Sequence, residues 1–264
     1  MTLVVKVGGA VGNSAASVVD ELAHRTDVVL VHGGSDEVDR LGEALRVPSE
    51  YYTSPSGVVS RRTDAARLAI LVMAMAGTVR TELVRSLHAH GARAVGLTGA
   101  DGSLLVARKK VGARAVVDGR TVHVKDDLSG TIAEVRVDLL HLLLNAGIVP
   151  VVGPPAITSE GELLNVDADR VAAAVAVALH AEAMVLLTNV PGLLRDLKDP
   201  SSRVPTIPRP EFDGAFSLAA GRMRKKLLAA REALDGGVPR VVIAASAGPR
   251  PVERALRGEG TVLC

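Results

Sequence analysis

Seven lysines occur in the 264 residues, and two of them stand where a site for anions would need them. Lys6 follows the apolar run Leu3-Val4-Val5 and leads into Gly8-Gly9. Lys226 closes the basic segment Gly221-Arg222-Met223-Arg224-Lys225-Lys226, at the start of an Ala/Leu-rich stretch. Between them lie Val28-Val29-Leu30-Val31 with His32-Gly33-Gly34 behind it, and the box Asn165-Val166-Asp167-Ala168-Asp169. A glycine pair after a strand lets backbone N–H groups approach an anion with no Cβ in the way. Cations near both ends of the chain, two glycine turns and an acidic box suggest a site that moves a phosphoryl group.

Each signal also has a plainer meaning. A buried strand that ends in a glycine turn needs no ligand. Lys6 could be an edge lysine that snorkels to water. Lys226 could belong to a solvated basic face. Asn165, Asp167 and Asp169 could simply cap a helix, since Asn and Asp are the best N-caps. One helix needs one cap, however, and Asp169 would also suit the pairing of two lysines. Arg61-Arg62 ahead of Thr63-Asp64 is either a clamp for a substrate carboxylate or a basic loop before a helix cap. The chain contains no Gly-Lys dipeptide and no Gly-x-Gly-x-x-Gly, which disfavours a Walker A loop and a dinucleotide fingerprint. The seven histidines show no metal-site spacing, so no metal held by protein ligands is expected.

Alternating strand and helix patterns must position these residues. Strands are expected at 3–7, 28–32, 92–97, 148–152, 184–187, 241–244 and 261–263. Helices are expected from about Ser14 to 25, at 37–45, from 63 to a break at Gly77 and on to 90, at 135–146, 168–180, 217–234 and 251–256. Short β runs at 104–107, 115–117 and 121–124 surround Asp118-Gly119, a type I′ hairpin signal. This alternation predicts an α/β fold whose mainly parallel sheet is covered on both faces. A lobe boundary is placed near residue 180, giving residues 1–180 and 181–264. In open α/β sheets ligands bind at the carboxyl ends of the strands, where both glycine turns fall.

Composition narrows the function classes. Aromatics make up 2% of the chain, too few for base-stacking platforms on single-stranded nucleic acid. The lone cysteine is the last residue, Cys264, so the cytoplasm is the expected compartment. The net charge of +2 is uneven. Residues 102–126 hold six cations against two acids, which leaves the rest of the chain slightly acidic. That excess is either a solvated surface or a docking surface for an acidic partner.

Taken in order, these segments resemble the amino-acid kinase family over nearly the whole chain, and within it the acetylglutamate kinase branch. That branch has Lys-x-Gly-Gly (Lys6, Gly8, Gly9 here) and His-Gly-Gly-Gly (His32-Gly33-Gly34-Ser35 here). It has Arg-Val-Thr, where Arg61-Arg62-Thr63 stands, and Asn-Val-Asn-Ala-Asp, matched by Asn165 to Asp169 with Asp167 in place of asparagine. Its Thr-Asp-Val-x-Gly loop corresponds to Thr188 to Gly192 with Asn189 in place of aspartate, and its Gly-Met-x-x-Lys to Met223 and Lys226. The departures at Ser35, Arg62, Asp167 and Asn189 resemble a lysine-biosynthesis subgroup. Its members act on α-aminoadipate carried through its amino group by a small acidic protein of the LysW type.

The resemblance implies a three-layer α/β/α sandwich, a substrate lobe followed by a nucleotide lobe, a homodimer, and ATP with Mg2+. It implies that Lys6 and Lys226 meet the phosphates and that Asp169 orients both lysines. Gly33, Gly34, Ser35, Arg61 and Asn165 would hold the substrate. Gly8, Gly9, Thr188, Asn189, Gly192 and Lys226 would line the nucleotide, with Gly8, Gly9, Gly33 and Gly34 as backbone donors. An acetylglutamate kinase of arginine synthesis and a non-catalytic nucleotide sensor on the same fold are the competing expectations.

Overall fold

The computed structural model describes residues 2–9, 15–55, 59–112, 114–117, 120–219 and 221–264. The N-terminal part runs β1 (Leu3–Val7), α1 (Ala15–Leu22), β2 (Val28–His32), α2 (Ser35–Ala44), a hairpin of β3 (Tyr51–Thr53) and β4 (Val59–Arg61), then α3 (Ala65–Val72), α4 (Arg80–Ala89) and β5 (Ala94–Thr98). Next come β6 (Leu105–Lys109), β7 (Arg114–Val117), β8 (Arg120–His123), β9 (Gly130–Val135), α5 (Asp138–Asn145), β10 (Val149–Gly153), β11 (Ala156–Ile157), β12 (Leu163–Leu164) and α6 (Ala168–Ala178). The chain closes with β13 (Ala183–Thr188), β14 (Thr206–Ile207), α7 (Phe212–Leu218), α8 (Gly221–Asp235), β15 (Val241–Ala245), α9 (Pro251–Leu256) and β16 (Thr261–Leu263).

One eight-stranded sheet, in the order β14-β16-β15-β13-β1-β2-β10-β5, runs through both halves of the sequence. All its pairings are parallel except β15 with β16. Its inner strands, LVVKV, VVLVH and AMVLLT, are buried throughout, as parallel strands covered on both faces must be. Side-chain alternation then sorts the layers. Leu3, Val5 and Val7 pack with α1, α4 and α9, through Val18, Leu22, Leu83, Leu87, Val252 and Ala255. Val4 packs on the other face with α5, α6 and α8, through Leu140, Val171, Val175, Leu227 and Ala230. The three-layer sandwich expected from the sequence is therefore present, and Lys6 shares the face of Val4.

Four expectations change. Gly77 does not end a helix: residues Met73–Val79 form a π-helical stretch that joins α3 to α4. A Cβ at Gly77 would meet nothing within 4 Å, so the glycine faces outward and weakens the rod without stopping it. The helix expected over 217–234 is two helices. α7 closes on Ala219 in extended geometry, and α8 opens at Gly221 with φ +52°, a conformation that glycine adopts at no steric cost. The helix expected from 135 begins at Asp138, because β9 carries the chain through Val135 as the antiparallel partner of β6. The hairpin β3–β4 was not anticipated. The Ser14 cap and the Asp118-Gly119 turn lie outside the described residues, although β7 and β8 on either side of that turn do pair antiparallel.

Candidate active site

Parallel register sets β1, β2 and β13 at one level, with Val7 beside both His32 and Leu187, so the turns that follow open on one edge of the sheet. The two glycine turns touch: a Cβ on Gly9 would collide with the Gly34 backbone, so neither turn could approach the other with a side chain there. The N–H of Gly8 donates to Leu187 O at 3.3 Å and that of Gly33 to Val7 O at 3.1 Å. Of the four glycines expected as backbone donors, two are thus engaged within the sheet. Among the described residues the N–H groups of Gly9 and Gly34 have no such partner.

Lys6 is not an edge lysine. β1 is an inner strand, and Lys6 pairs with Leu186 on one side and Val31 on the other. Its Nζ lies 2.7 Å from Asp169 Oδ1. Lys226, in the second turn of α8, donates from Nζ to the same carboxylate at 3.0 Å and 3.1 Å. All three residues are only 6–7% exposed. The α6 cap is Asp167, whose side chain accepts from the N–H groups of Asp169 and Arg170 at 3.0 Å and 3.4 Å. The box is therefore divided between a cap and an ion-pairing group.

Burial alone would push the Asp169 carboxyl up, yet Lys226 and Lys6 hold it well below the ordinary carboxylate range. Burial pushes the Lys226 ammonium down, with Asp169 opposing and Lys6 reinforcing the shift. Two cations share one carboxylate, so the buried cluster keeps an excess of positive charge. Such an excess in a poorly hydrated site is stabilised by an incoming anion. A Cβ placed on Gly33 would sit 3.8 Å from Lys6 Nζ, which puts that excess directly beside the glycine turns.

Arg61 reaches the same edge from β4. It donates to Asp39 Oδ1 at 2.6 Å, to Ser49 Oγ and to the Ser35 carbonyl at 3.2 Å, and it lies 5.0 Å over the Tyr51 ring. Partial burial opposes the Asp39 carboxylate, but Arg61, Ser49 and Tyr51 hold it below its usual range. Ser35 Oγ donates to Gly9 O at 3.4 Å. Asn165 Nδ2 donates to Thr63 Oγ1 at 2.8 Å, which ties the box to the segment after Arg61.

Sequence reasoning gave Thr63 no role of its own and passed over Asp127 and Ser129; all three are buried. The Asp127 carboxylate accepts from Thr63 N–H at 3.3 Å and from the Ser129 hydroxyl. The signals available were Asp126-Asp127 inside a basic stretch and the adjacent Tyr51-Tyr52, which are the only tyrosines in the chain.

Thr188 ends β13 at the same sheet edge, its carbonyl accepting from Ser246 N–H at 2.8 Å and its hydroxyl meeting Asn189 Oδ1 at 3.4 Å. Gly192 stands apart. Its φ is +149°, and a Cβ there would meet Thr261 Oγ1 at 2.5 Å, so close packing on β16 accounts for this glycine.

His32 lies beneath the second glycine turn, 1% exposed and against Gly153. Its Nε2 has no hydrogen-bond partner among the described residues. Burial lowers its pKa to about 4; the Gly33 carbonyl opposes this, and Arg80 and Lys6 add to it. The unfolded chain then takes up a proton below about pH 6.5 that the folded chain refuses, so stability falls with pH through that window. Between pH 7 and 4.5 the wild type is expected to lose about 2–3 kcal/mol more than His32→Leu in chemical denaturation. Identical pH profiles for the two proteins would contradict this placement of the imidazole.

Comparison with known proteins points in one direction. The profile of the amino acid kinase family matches residues 1–245. LysW-aminoadipate kinase of Thermus thermophilus is 45% identical over 267 residues, covering 99% of each chain. The protein of that name from Deinococcus radiodurans is 44% identical over 265 residues, covering 99% of this chain and 91% of that one. Acetylglutamate kinase of Methanopyrus kandleri is 38% identical, covering 98% of this chain and 99% of that one. Among solved structures, N-acetylglutamate synthase of Neisseria gonorrhoeae superposes with a TM-score of 0.79 at 28% identity, covering 100% of this chain and 59% of that one. Carbamate kinase of Giardia shares the fold, with a TM-score of 0.68 at 18% identity over 99% of this chain and 98% of that one.

Proposed function

This chain belongs to the amino acid kinase family, and from that premise we propose that it phosphorylates the side-chain carboxylate of α-aminoadipate linked through its amino group to a small acidic carrier of the LysW type, with MgATP as donor. The observation that carries this reading is the buried Lys6–Asp169–Lys226 cluster beside two glycine turns. The identity to LysW-aminoadipate kinases selects the substrate.

A side-chain carboxylate is ionised at neutral pH, so its attack needs no general base. A carboxylate oxygen bonds to the terminal phosphorus of ATP as the bond to the ADP oxygen breaks, giving an acyl phosphate and ADP. The barrier comes from bringing anions together, so positioning and charge stabilisation supply the catalysis. In this reading Lys6 meets the transferring group, Lys226 meets the leaving side, and Asp169 keeps both ammoniums aimed. Gly9 and Gly34 supply backbone donors, Arg61 and Asn165 hold the substrate's other carboxylate, and Thr188 and Asn189 border the nucleotide. Two ammoniums and two backbone N–H groups suit phosphate. Magnesium would come with the phosphates of ATP and would offset their charge there.

The same reading takes residues 1–180 as the substrate lobe, residues 181–264 as the nucleotide lobe, and the working form as a cytoplasmic homodimer. Among the described residues no helix is long and apolar enough to cross a membrane.

The carrier is tested through charge. Arg108, Lys109 and Lys110 end or follow β6 on an exposed surface, with Lys109 paired to Glu162 at 3.2 Å. Steering by such charges acts through solvent and is screened over ~8–10 Å at ordinary salt. For the carrier-linked substrate kcat/KM is expected to fall steeply with added salt and with charge reversal at these three residues. For free N-acetylaminoadipate it is expected to change little. An equal response of both substrates, with N-acetylglutamate the better acceptor, would make this an acetylglutamate kinase instead.

A further inference from the structure

Three segments far apart in sequence meet at Thr63: the residues after β4, the link from Asp127 to Gly130 at the start of β9, and Asn165 after β12. The N–H of Thr63 donates to Asp127 Oδ1 at 3.3 Å, and its carbonyl accepts from Leu128 N–H at 2.6 Å. The N–H of Asn165 donates to the Leu128 carbonyl at 2.8 Å, and the Asn165 carbonyl accepts from Gly130 N–H at 2.8 Å. The main chains of Thr63 and Asn165 are thus stitched to the segment between them. Side chains close the ring. Asn165 Nδ2 donates to Thr63 Oγ1 at 2.8 Å, that hydroxyl donates to the Arg61 carbonyl at 3.4 Å, and the Ser129 hydroxyl donates to the second oxygen of Asp127. Thr63, Asp127 and Ser129 are buried, and none of them has a place in the mechanism above.

The ring decides which way an amide faces. A hydroxyl carries one proton. With that proton on the Arg61 carbonyl, Thr63 can only accept from Asn165, so the amide turns its nitrogen, and not its oxygen, towards Thr63. Leaving a buried polar group unpaired is costly, which holds the ring to this one pattern. Thr63 therefore touches both residues read as holding the substrate's other carboxylate, Asn165 through its amide and Arg61 through its carbonyl. We propose that Thr63 is a positioning residue for the acceptor, acting through Asn165: it fixes the Asn165 amide in one orientation and in step with Arg61, so that a single arrangement of both side chains meets the carboxylate. Asp127 stands one step behind and holds Thr63 by its N–H. This rests on the function proposed above and adds to it a residue that acts at one remove from the substrate.

The test is a double-mutant cycle read by calorimetric titration with carrier-linked aminoadipate. Thr63→Val keeps the shape and removes the hydroxyl. It is expected to weaken binding about 10- to 100-fold, the range of one charge-assisted hydrogen bond. Thr63→Ser keeps the hydroxyl and is expected to bind within about 3-fold of wild type. In the Asn165→Ala background no amide is left to orient, so Thr63→Val is expected to weaken binding by about 3-fold or less. Losses that add, wild-type affinity in Thr63→Val, or no binding by the wild type overturns the proposal. Should Thr63→Val fail to fold, the wild type decides by NMR. A nuclear Overhauser contact is expected between the Asn165 side-chain N–H protons and the Thr63 methyl, and its absence means that the amide faces the other way. Acyl phosphate formation is followed separately. Binding that obeys the cycle without acyl phosphate from the wild type would sink the kinase reading and leave the positioning role standing, whereas acyl phosphate with additive losses would do the reverse.

Discussion

Alanine at Lys226, or at Lys6, is expected to lower kcat by about 100- to 1,000-fold, the usual effect of removing one preorganised donor to developing charge. The substrate KM and the KM for ATP are expected to stay within a few-fold, because the lost contact matters most in the transition state. The geometry also predicts that both variants fold. Removal of either lysine leaves the other paired with Asp169, at 2.7 Å for Lys6 or 3.0 Å for Lys226. Steady-state kinetics beside a thermal melt separate the cases. Near-normal turnover in either variant removes that lysine from the mechanism.

Asp169→Asn has the second large effect, and the two readouts move for different reasons. The substitution keeps the shape but leaves two buried ammoniums without their anion. Breaking a buried pair in this way costs about 3–5 kcal/mol. Turnover is expected to fall at least as far as in the lysine variants, since both cations lose their common anchor. The capping of α6 is untouched because Asp167 performs it. With no carboxylate to offset burial, Lys226 releases its proton more readily in the folded variant than in the unfolded chain. The unfolded chain then binds more protons, so the variant gains stability relative to wild type as pH rises towards the ordinary lysine value of about 10.4. Full activity, or a stability deficit that ignores pH, would assign Asp169 a purely packing role.

How far the sequence carries depends on whether a residue is out of place on its own element. Lys6 in LVVKV is anomalous in a buried strand, and Asp169 is redundant as a cap, so both announce a second role. Lys226 does not: on a basic helix start it reads as surface, and only its burial against α6 separates it from Lys225. Arg61 was legible as a cation before a helix, but the locking of its guanidinium by Asp39, Ser49 and Tyr51 depends on a hairpin of two three-residue strands. Such short strands leave too little periodicity to register. Gly77 and Gly221 look alike in sequence, yet one faces solvent within a continuous rod and the other needs φ +52° to turn the chain. Asp127 looks solvated beside Asp126, and its burial comes from Thr63, 64 positions earlier in the chain.

The most direct test is to trap the product. The purified protein is incubated with ATP, Mg2+, carrier-linked aminoadipate and hydroxylamine, and hydroxamate is measured against ADP. The account predicts one hydroxamate for each ADP formed with this acceptor, and little of either with Lys226→Ala. Release of ADP without hydroxamate, or no ATP-dependent product at all from a folded protein, would contradict the claim that this cluster transfers a phosphoryl group to a carboxylate.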